Sequence, residues 1–172
     1  MKRILNDQEI KRAVTRISHE ILERNENYEN IVFLGIVTRG FELGERLSNR
    51  IKEIEGIEIP VYKLDVRNYR DDLKTLEKRI EEIGLPEIDA NEKNIIIVDD
   101  VIYTGRTTRA ALDAIVELGR PSLVQLVALV DRGHREFPIR PDYIGKNIPT
   151  SKSEKVVLRL KEVDGEDAVY FD

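Results

Sequence analysis

Two consecutive carboxylates, Asp99 and Asp100, stand at the end of an apolar run, and Thr104, Gly105, Arg106, Thr107 and Thr108 follow shortly after. A helix that opens on those threonines offers backbone N–H groups without intrahelical partners, and its dipole favours an anion there. The hydroxyls add donors, and glycine lets the backbone approach a ligand closely. Those are the makings of a phosphate cradle at a helix N-terminus. The G-x-x-x-x-G-K-[ST] spacing of a Walker loop is missing. Two carboxylates in front of the cradle would face a polyhydroxylated group or a divalent cation beside the phosphate. The plainer alternative is a turn whose Asp and Thr residues only cap a helix.

Thr38-Arg39-Gly40 closes the apolar run Ile31–Val37 and offers a guanidinium with adjacent backbone donors, a second place for an anion. Taken alone, the tripeptide is equally an ordinary strand-to-helix turn. Basic side chains gather in two further places. The polar side of the first helical pattern carries Arg12, Thr15, Arg16 and His19. From Arg132 to Lys152, five basic residues stand against Glu136 and Asp142. Arginine and histidine contact phosphates, stack on splayed bases and bond base edges, as in readout of single-stranded RNA loops. A solvated charged face is the alternative.

These groups need elements to hold them. Asn6 and Glu9 have capping-box spacing, and Ile10, Val14, Ile17 and Ile21 form one apolar stripe, which predicts a helix. Ile31–Val37 reads as a strand covered on both faces. Leu43, Leu47, Ile51 and Ile54 predict a second helix stopped by Gly56, and Ile59–Val66 a second strand. Asn94–Asp99 is a third strand, Thr108–Leu118 a helix closed by Gly119 and Pro121, and Leu123–Val130 a fourth strand. This alternation predicts an α/β chain with a mainly parallel sheet and helices on both faces. Between Asp131 and Pro149 the pattern dissolves into Pro- and Gly-punctuated chain, and Val156–Val163 alternates like an edge strand. The connection from Arg67 to Lys93 is long for a compact domain and reads as a mobile arm with helical tendency.

The chain has 172 residues, enough for one domain, no cysteine and a net charge of −5. Disulfide scaffolds, cysteine nucleophiles and thiolate metal sites are thereby excluded. The acidic total argues against indiscriminate coating of nucleic acid or anionic membrane, though not against a local basic face. No apolar run approaches the roughly 20 residues of a membrane span, and the charged N-terminus does not resemble a signal peptide, so a cytoplasmic location is expected.

Val98-Asp99-Asp100-Val101-Ile102-Tyr103-Thr104-Gly105-Arg106-Thr107 resembles the phosphoribosyl pyrophosphate (PRPP) signature of type I phosphoribosyltransferases. Its spelling is that of the family of pyrimidine-operon attenuation regulators that are also uracil phosphoribosyltransferases. The resemblance extends to the first helix, to Thr38-Arg39-Gly40 and to Tyr69-Arg70-Asp71-Asp72-Leu73. It continues through Val130–Glu136 and Ile144–Ser151.

The resemblance implies a single type I phosphoribosyltransferase domain over 1–172, with a flexible arm at about 67–93. A small hood would come from about 132–155 together with the N-terminal segment. It assigns the 5′-phosphate to Thr104, Gly105, Arg106, Thr107 and Thr108, next to Val101, Ile102 and Tyr103 of the same signature. Asp99 and Asp100 would take the ribose hydroxyls. Pyrophosphate would fall to Thr38, Arg39 and Gly40, with Arg70 reaching over from the arm. Asp99, Asp100 and Arg39 would form the catalytic set. Arg132, His134 and Val156 would hold the base; the alternative for His134 is a histidine that only fastens a loop.

The resemblance further implies Mg²⁺ carried with the substrate, with no metal site built by the protein alone. Thr15, His19, Arg135 and Arg140 match positions that bind a stem-loop in pyrimidine leader mRNA. UMP or UTP in the active site would promote that binding. The partners implied are thus PRPP, uracil, UMP/UTP, leader RNA and further copies of the chain as homodimer or homohexamer. Arg67-Asn68 departs from the more apolar residues expected before Tyr69. The alternative is a plain purine or pyrimidine salvage phosphoribosyltransferase without an RNA role.

Overall fold

A computed structural model of the chain describes residues 1–67 and 85–172. In chain order its elements are β1 (Lys2–Leu5), α1 (Asp7–Arg24), β2 (Ile31–Ile36), α2 (Arg39–Glu55) and β3 (Val61–Leu64). There follow β4 (Asn94–Ile102), α3 (Arg106–Leu118), β5 (Leu123–Asp131), β6 (Tyr143–Asn147), β7 (Val156–Arg159), the short α4 (Lys161–Asp164) and β8 (Ala168–Phe171). Five strands make a parallel sheet in the order β3-β2-β4-β5-β6, and three make an antiparallel one in the order β1-β8-β7.

Alternation along the central strands explains why both faces are covered. Ile31 and Phe33 of β2 and Ile96 and Val98 of β4 join one core with Ile10, Ile17 and Ile21 of α1 and Leu43, Leu47 and Ile51 of α2. Val32, Leu34, Ile95 and Ile97 point the other way and join Ala110, Ala111, Ala114 and Ile115 of α3. Strand residues buried on both sides read in the sequence as unbroken apolar runs. Leu5, Leu158 and Val169 of the small sheet belong to the α1–α2 core.

The expected helices and central strands are present. The Asn6 side chain accepts from Glu9 N–H and the Glu9 carboxylate accepts from Asn6 N–H, both at 2.9 Å, completing the capping box. Gly56, at φ +70°, ends α2 as the left-handed cap that glycine adopts without steric cost. The helix expected from Thr108 starts at Arg106, because Gly105 at φ +90° forms its cap.

Three expectations need correction. Chain read as irregular between Asp131 and Pro149 contains β6, which completes the parallel sheet beside β5. The strand expected over Val156–Val163 ends at Arg159, because Asp164 accepts Leu160 N–H and turns the chain into α4. The described end of the stretch expected to be arm, up to Lys93, packs on the domain instead. Leu85 and Ala90 are buried against α3, and Ala90 N–H donates to Leu118 O. Residues 68–84, with Arg70, lie outside the described residues.

Candidate active site

The chain runs from β2 to β3 on one side of the sheet, then from β4 to β5 and β6 on the other. The winding therefore reverses between β2 and β4, and open α/β sheets bind ligands outside the carboxyl ends of strands at such a switch point. An open cleft of about 320 Å³ lies there, and its lining includes Val37, Asp99, Asp100, Val101, Arg106 and Thr107.

Residues far apart in sequence meet closely at its floor. A Cβ on Gly40 would collide with the Val98 carbonyl oxygen and lie 3.3 Å from Asp99 Cα, so α2 starts directly against the acidic pair only because residue 40 has no side chain. The peptide between Val37 and Thr38 is cis. Arg39 lays its guanidinium fork on Asp164, with Nε to Oδ2 at 3.0 Å and Nη2 to Oδ1 at 2.7 Å. That two-point contact holds the Asp164 carboxyl below the usual carboxylate range.

Asp99 is buried and Asp100 half-buried. Desolvation and then the neighbouring charge of Asp100 push the Asp99 carboxyl well above its usual range. Asp100 N–H donates to Asp99 Oδ1 at 2.8 Å, and Val101 N–H to Asp100 Oδ1 at 2.7 Å. The pair is thus aimed by its own backbone, and a cation or a hydroxyl donor placed beside it would relieve the crowding of negative charge.

Thr104 Oγ1 accepts Arg106 N–H at 3.2 Å, leaving the next N–H groups of the first turn of α3 facing the cleft mouth. Thr107 is exposed there. Thr108 is different: it is buried, and its Oγ1 is enclosed without a hydrogen-bond partner among the described residues, so only its main-chain N–H is left to offer an anion.

Above the loop, Arg132 stacks its guanidinium 3.9 Å from the centre of the Tyr103 ring, and the His134 ring stands edge-on to the same tyrosine at 5.9 Å. Arg132 is buried and donates to the carbonyls of Ser151 and Glu154 at 3.2 and 2.6 Å. His134 Nε2 is 2.5 Å from the Thr150 carbonyl. Both side chains therefore fasten the 150–154 loop over Tyr103. Val156 packs on the α1–α2 core at the start of β7 and makes no hydrogen bond or ring contact with either.

The four expected RNA contacts are not alike. His19 and Arg140 are exposed and without a side-chain partner among the described residues. Thr15 Oγ1 accepts from Arg50 Nε at 3.2 Å in a shallow groove between α1 and α2. Arg135 is engaged instead with its own loop, reaching Asp131 at 2.5 Å, the Ile139 carbonyl at 2.7 Å and the Tyr103 carbonyl at 2.9 Å. It braces the signature loop rather than standing free. Sequence reasoning missed Asp164, the partner of Arg39. Its one signal was Asp164-Gly165 after an alternating run, a turn dipeptide.

A family model, the phosphoribosyl transferase domain, matches residues 1–162. The chain belongs to this family. Among phosphoribosyl transferases it is similar to proteins named bifunctional protein PyrR. That of Streptococcus suis is 52% identical over 168 residues, covering 98% of this chain and 95% of the relative. That of Halalkalibacterium halodurans is 54% identical over 172 residues, covering 98% and 96%. That of Deinococcus radiodurans is 54% identical over 168 residues, covering 96% and 91%. Among solved phosphoribosyl transferase structures, the hypoxanthine enzyme of Trypanosoma cruzi matches with a TM-score of 0.74 at 18% identity, covering 99% of this chain and 95% of the other. The hypoxanthine-guanine enzyme of Bacillus anthracis also gives 0.74 at 18% identity, covering 98% and 96%. At that identity the likeness is one of fold.

Proposed function

We propose that this protein makes UMP and pyrophosphate from uracil and PRPP, and that it also binds pyrimidine leader mRNA in response to uridine nucleotides. The observation that carries the enzymatic reading is the convergence of the acidic pair and the N-terminus of α3 on one cleft at the switch point, with Gly40 of the Thr38–Gly40 turn packed directly behind the acidic pair. The regulatory reading is supported by similarity above half identity to bifunctional PyrR proteins over nearly the whole chain.

In the reaction, N1 of uracil replaces pyrophosphate at the ribose C1 through an oxocarbenium-like transition state. The protein must hold the two phosphate groups apart, stabilise the departing one and exclude water. The first turn of α3, with Thr104 and Thr107, takes the 5′-phosphate. Asp99 and Asp100 receive the ribose hydroxyls, and backbone donors at Thr38–Gly40 with the Arg39 guanidinium receive the pyrophosphate. Tyr103, braced by Arg132 and His134, forms a wall where the base enters.

Phosphoribosyltransferases generally use Mg²⁺ with PRPP. Among the described residues no group of three or more His, Cys, Asp or Glu is gathered to hold a metal ion. The crowded Asp99–Asp100 pair nevertheless fits a cation that shares its ligands with substrate oxygens, as Mg²⁺ usually does. Bound there, it would neutralise the leaving pyrophosphate.

The RNA surface is the exposed side of α1, with Arg12, Thr15, Arg16 and His19, extended by Arg140. Arg16 donates to the carbonyls of Ile144 and Gly145 at 3.1 and 2.6 Å, which ties that face to β6 and hence to the sheet that carries the site. A nucleotide that favours the RNA-competent arrangement raises RNA affinity, and the converse follows by linkage. Further copies of the chain, as homodimer or homohexamer, would repeat that surface about a symmetry axis.

Two assays test the reading. Protein with uracil, PRPP and Mg²⁺ should yield UMP, and hypoxanthine or guanine should not compete. A pyrimidine leader stem-loop should shift in a native gel more strongly with UMP than without. Purine use, or binding indifferent to UMP, would leave a plain salvage enzyme.

A further inference from the structure

Two arginines on one side of α2 grip the connection between β7 and β8. Arg46 holds Glu162 at 2.6 and 2.8 Å and Asp167 at 2.7 and 2.9 Å, and Asp167 also accepts Lys161 N–H at 2.7 Å. Two turns nearer the cleft, Arg39 holds Asp164 in the same forked manner. The second contact differs from the first in one respect. Arg46 is engaged on both of its sides, whereas Arg39 has given Asp164 only Nε and Nη2. Its remaining N–H donors have no partner among the described residues, and 30% of its side chain is exposed.

Asp164 is itself immobilised. Its Oδ2 accepts Leu160 N–H at 2.8 Å, and its own N–H donates to Leu160 O at 2.7 Å. Arg39 also feels the charge of Asp100. A long arginine side chain loses much rotamer freedom when it captures an anion, and a fork already seated on a fixed carboxylate has lost it beforehand.

We infer that Asp164 is a positioning residue for pyrophosphate: its two-point contact with Arg39 aims the free edge of that guanidinium at the leaving group. This rests on the reading of Arg39 as a pyrophosphate contact. The β7–β8 connection, outside the PRPP signature, would then set how tightly PRPP is held without touching it.

Steady-state kinetics of UMP formation in Asp164→Asn, Asp164→Glu, Arg39→Ala and the Arg39→Ala/Asp164→Asn pair test the inference. Asparagine keeps the acceptor for Leu160 N–H but loses the charge that seats the fork. Asp164→Asn should raise the KM for PRPP and the inhibition constant of inorganic pyrophosphate each about tenfold, with the KM for uracil within about twofold. Asp164→Glu should recover most of this, leaving the PRPP KM about threefold above wild type. In the Arg39→Ala background Asp164→Asn should add nothing, since residues that act through one another are not additive.

An unchanged or lowered PRPP KM in Asp164→Asn, with Arg39→Ala impaired, overturns the inference. So does an undiminished effect of Asp164→Asn when Arg39 is already gone. Wild-type kinetics in Arg39→Ala would instead sink the reading of Arg39 on which the inference rests. If Asp164→Asn does not fold, Asp164→Glu decides: a raised PRPP KM with unchanged uracil KM supports the inference, and an unchanged PRPP KM overturns it.

Discussion

Asp99 is the residue where function and stability pull apart. In the unfolded chain it ionises near 3.8, whereas burial and Asp100 raise its folded value. The folded state therefore binds the extra proton, and this group's contribution to stability falls as pH rises from the unfolded towards the folded value. Asp99→Asn keeps the acceptor for Asp100 N–H and removes the charge. It should raise the melting temperature at pH 7 by roughly 2–4 °C, the shift that about 1 kcal/mol makes in a chain of this size. The same substitution should lower kcat at least about 100-fold, the usual scale for losing one preorganised partner of the transition state. A melting temperature that does not rise would mean that the carboxylate is already relieved. Arg135 and Arg140 make a second contrast. Arg135→Ala removes three charge-assisted hydrogen bonds from a largely buried setting and should cost about 2–3 kcal/mol in urea denaturation. Arg140→Ala should leave stability within about 0.5 kcal/mol and weaken the leader RNA gel shift. If Arg140→Ala leaves the shift intact, that residue is off the surface.

At the scale of elements, the cleft depends on backbones that come closer than side chains allow. Residue 40 is at the first turn of α2, against the Val98 carbonyl of β4, with no room for even one carbon. Gly40→Ala must push α2 off the acidic pair. It should cost about 1–3 kcal/mol, as overpacking does, and raise the PRPP KM more than the uracil KM. A fully stable and active variant would show that α2 can retreat without moving the site. Asn6→Ala, which dissolves the capping box of α1 far from the cleft, should cost about 1 kcal/mol by thermal melting and leave catalysis alone. The comparison separates an element that only supports the core from one whose exact seating is the site.

The whole molecule is held together across its two sheets by acidic groups on the β7–β8 connection. Arg39 and Arg46 hold the Asp164, Glu162 and Asp167 carboxyls below their usual ranges. Depressed folded values contribute stability above the unfolded values of 3.8 and 4.5, and that stability is lost as pH falls through the folded ones. Stability measured by thermal melting should therefore be level near neutrality and drop below about pH 4. Arg46→Met should flatten that acid limb, and a limb unchanged by it would place the acid sensitivity elsewhere. A different tie joins α1 to the far edge of the central sheet. Asn25 at the end of α1 donates to the Tyr143 hydroxyl and to Gln125, both at 3.1 Å, and Tyr143 donates to Gln125 at 2.8 Å. This connects α1 to β5 and β6, whose carboxyl ends lead into the loops around Tyr103.

Local chemistry alone determined much of this protein. Apolar runs such as Ile95–Val98 mark strands wherever they lie, the Asn6–Glu9 spacing starts a helix, and consecutive carboxylates before a threonine-rich turn mark the candidate site. Each of these depends on neighbours a few residues away, so each is legible without a fold. Strands β1, β6 and β8 were not legible, because short segments such as Lys2–Leu5 become strands only by pairing with distant chain. The pairing of Arg39 with Asp164 was equally hidden: a charged residue in a turn resembles any other until packing brings a partner to it. Tertiary structure also decided which basic residues are free, leaving Arg140 exposed and engaging Arg135 internally. The net charge of −5 was readable in the sequence. Which groups remain available to a ligand is set by the contacts between distant segments, since an N–H donor already engaged inside the fold cannot be offered again outside it.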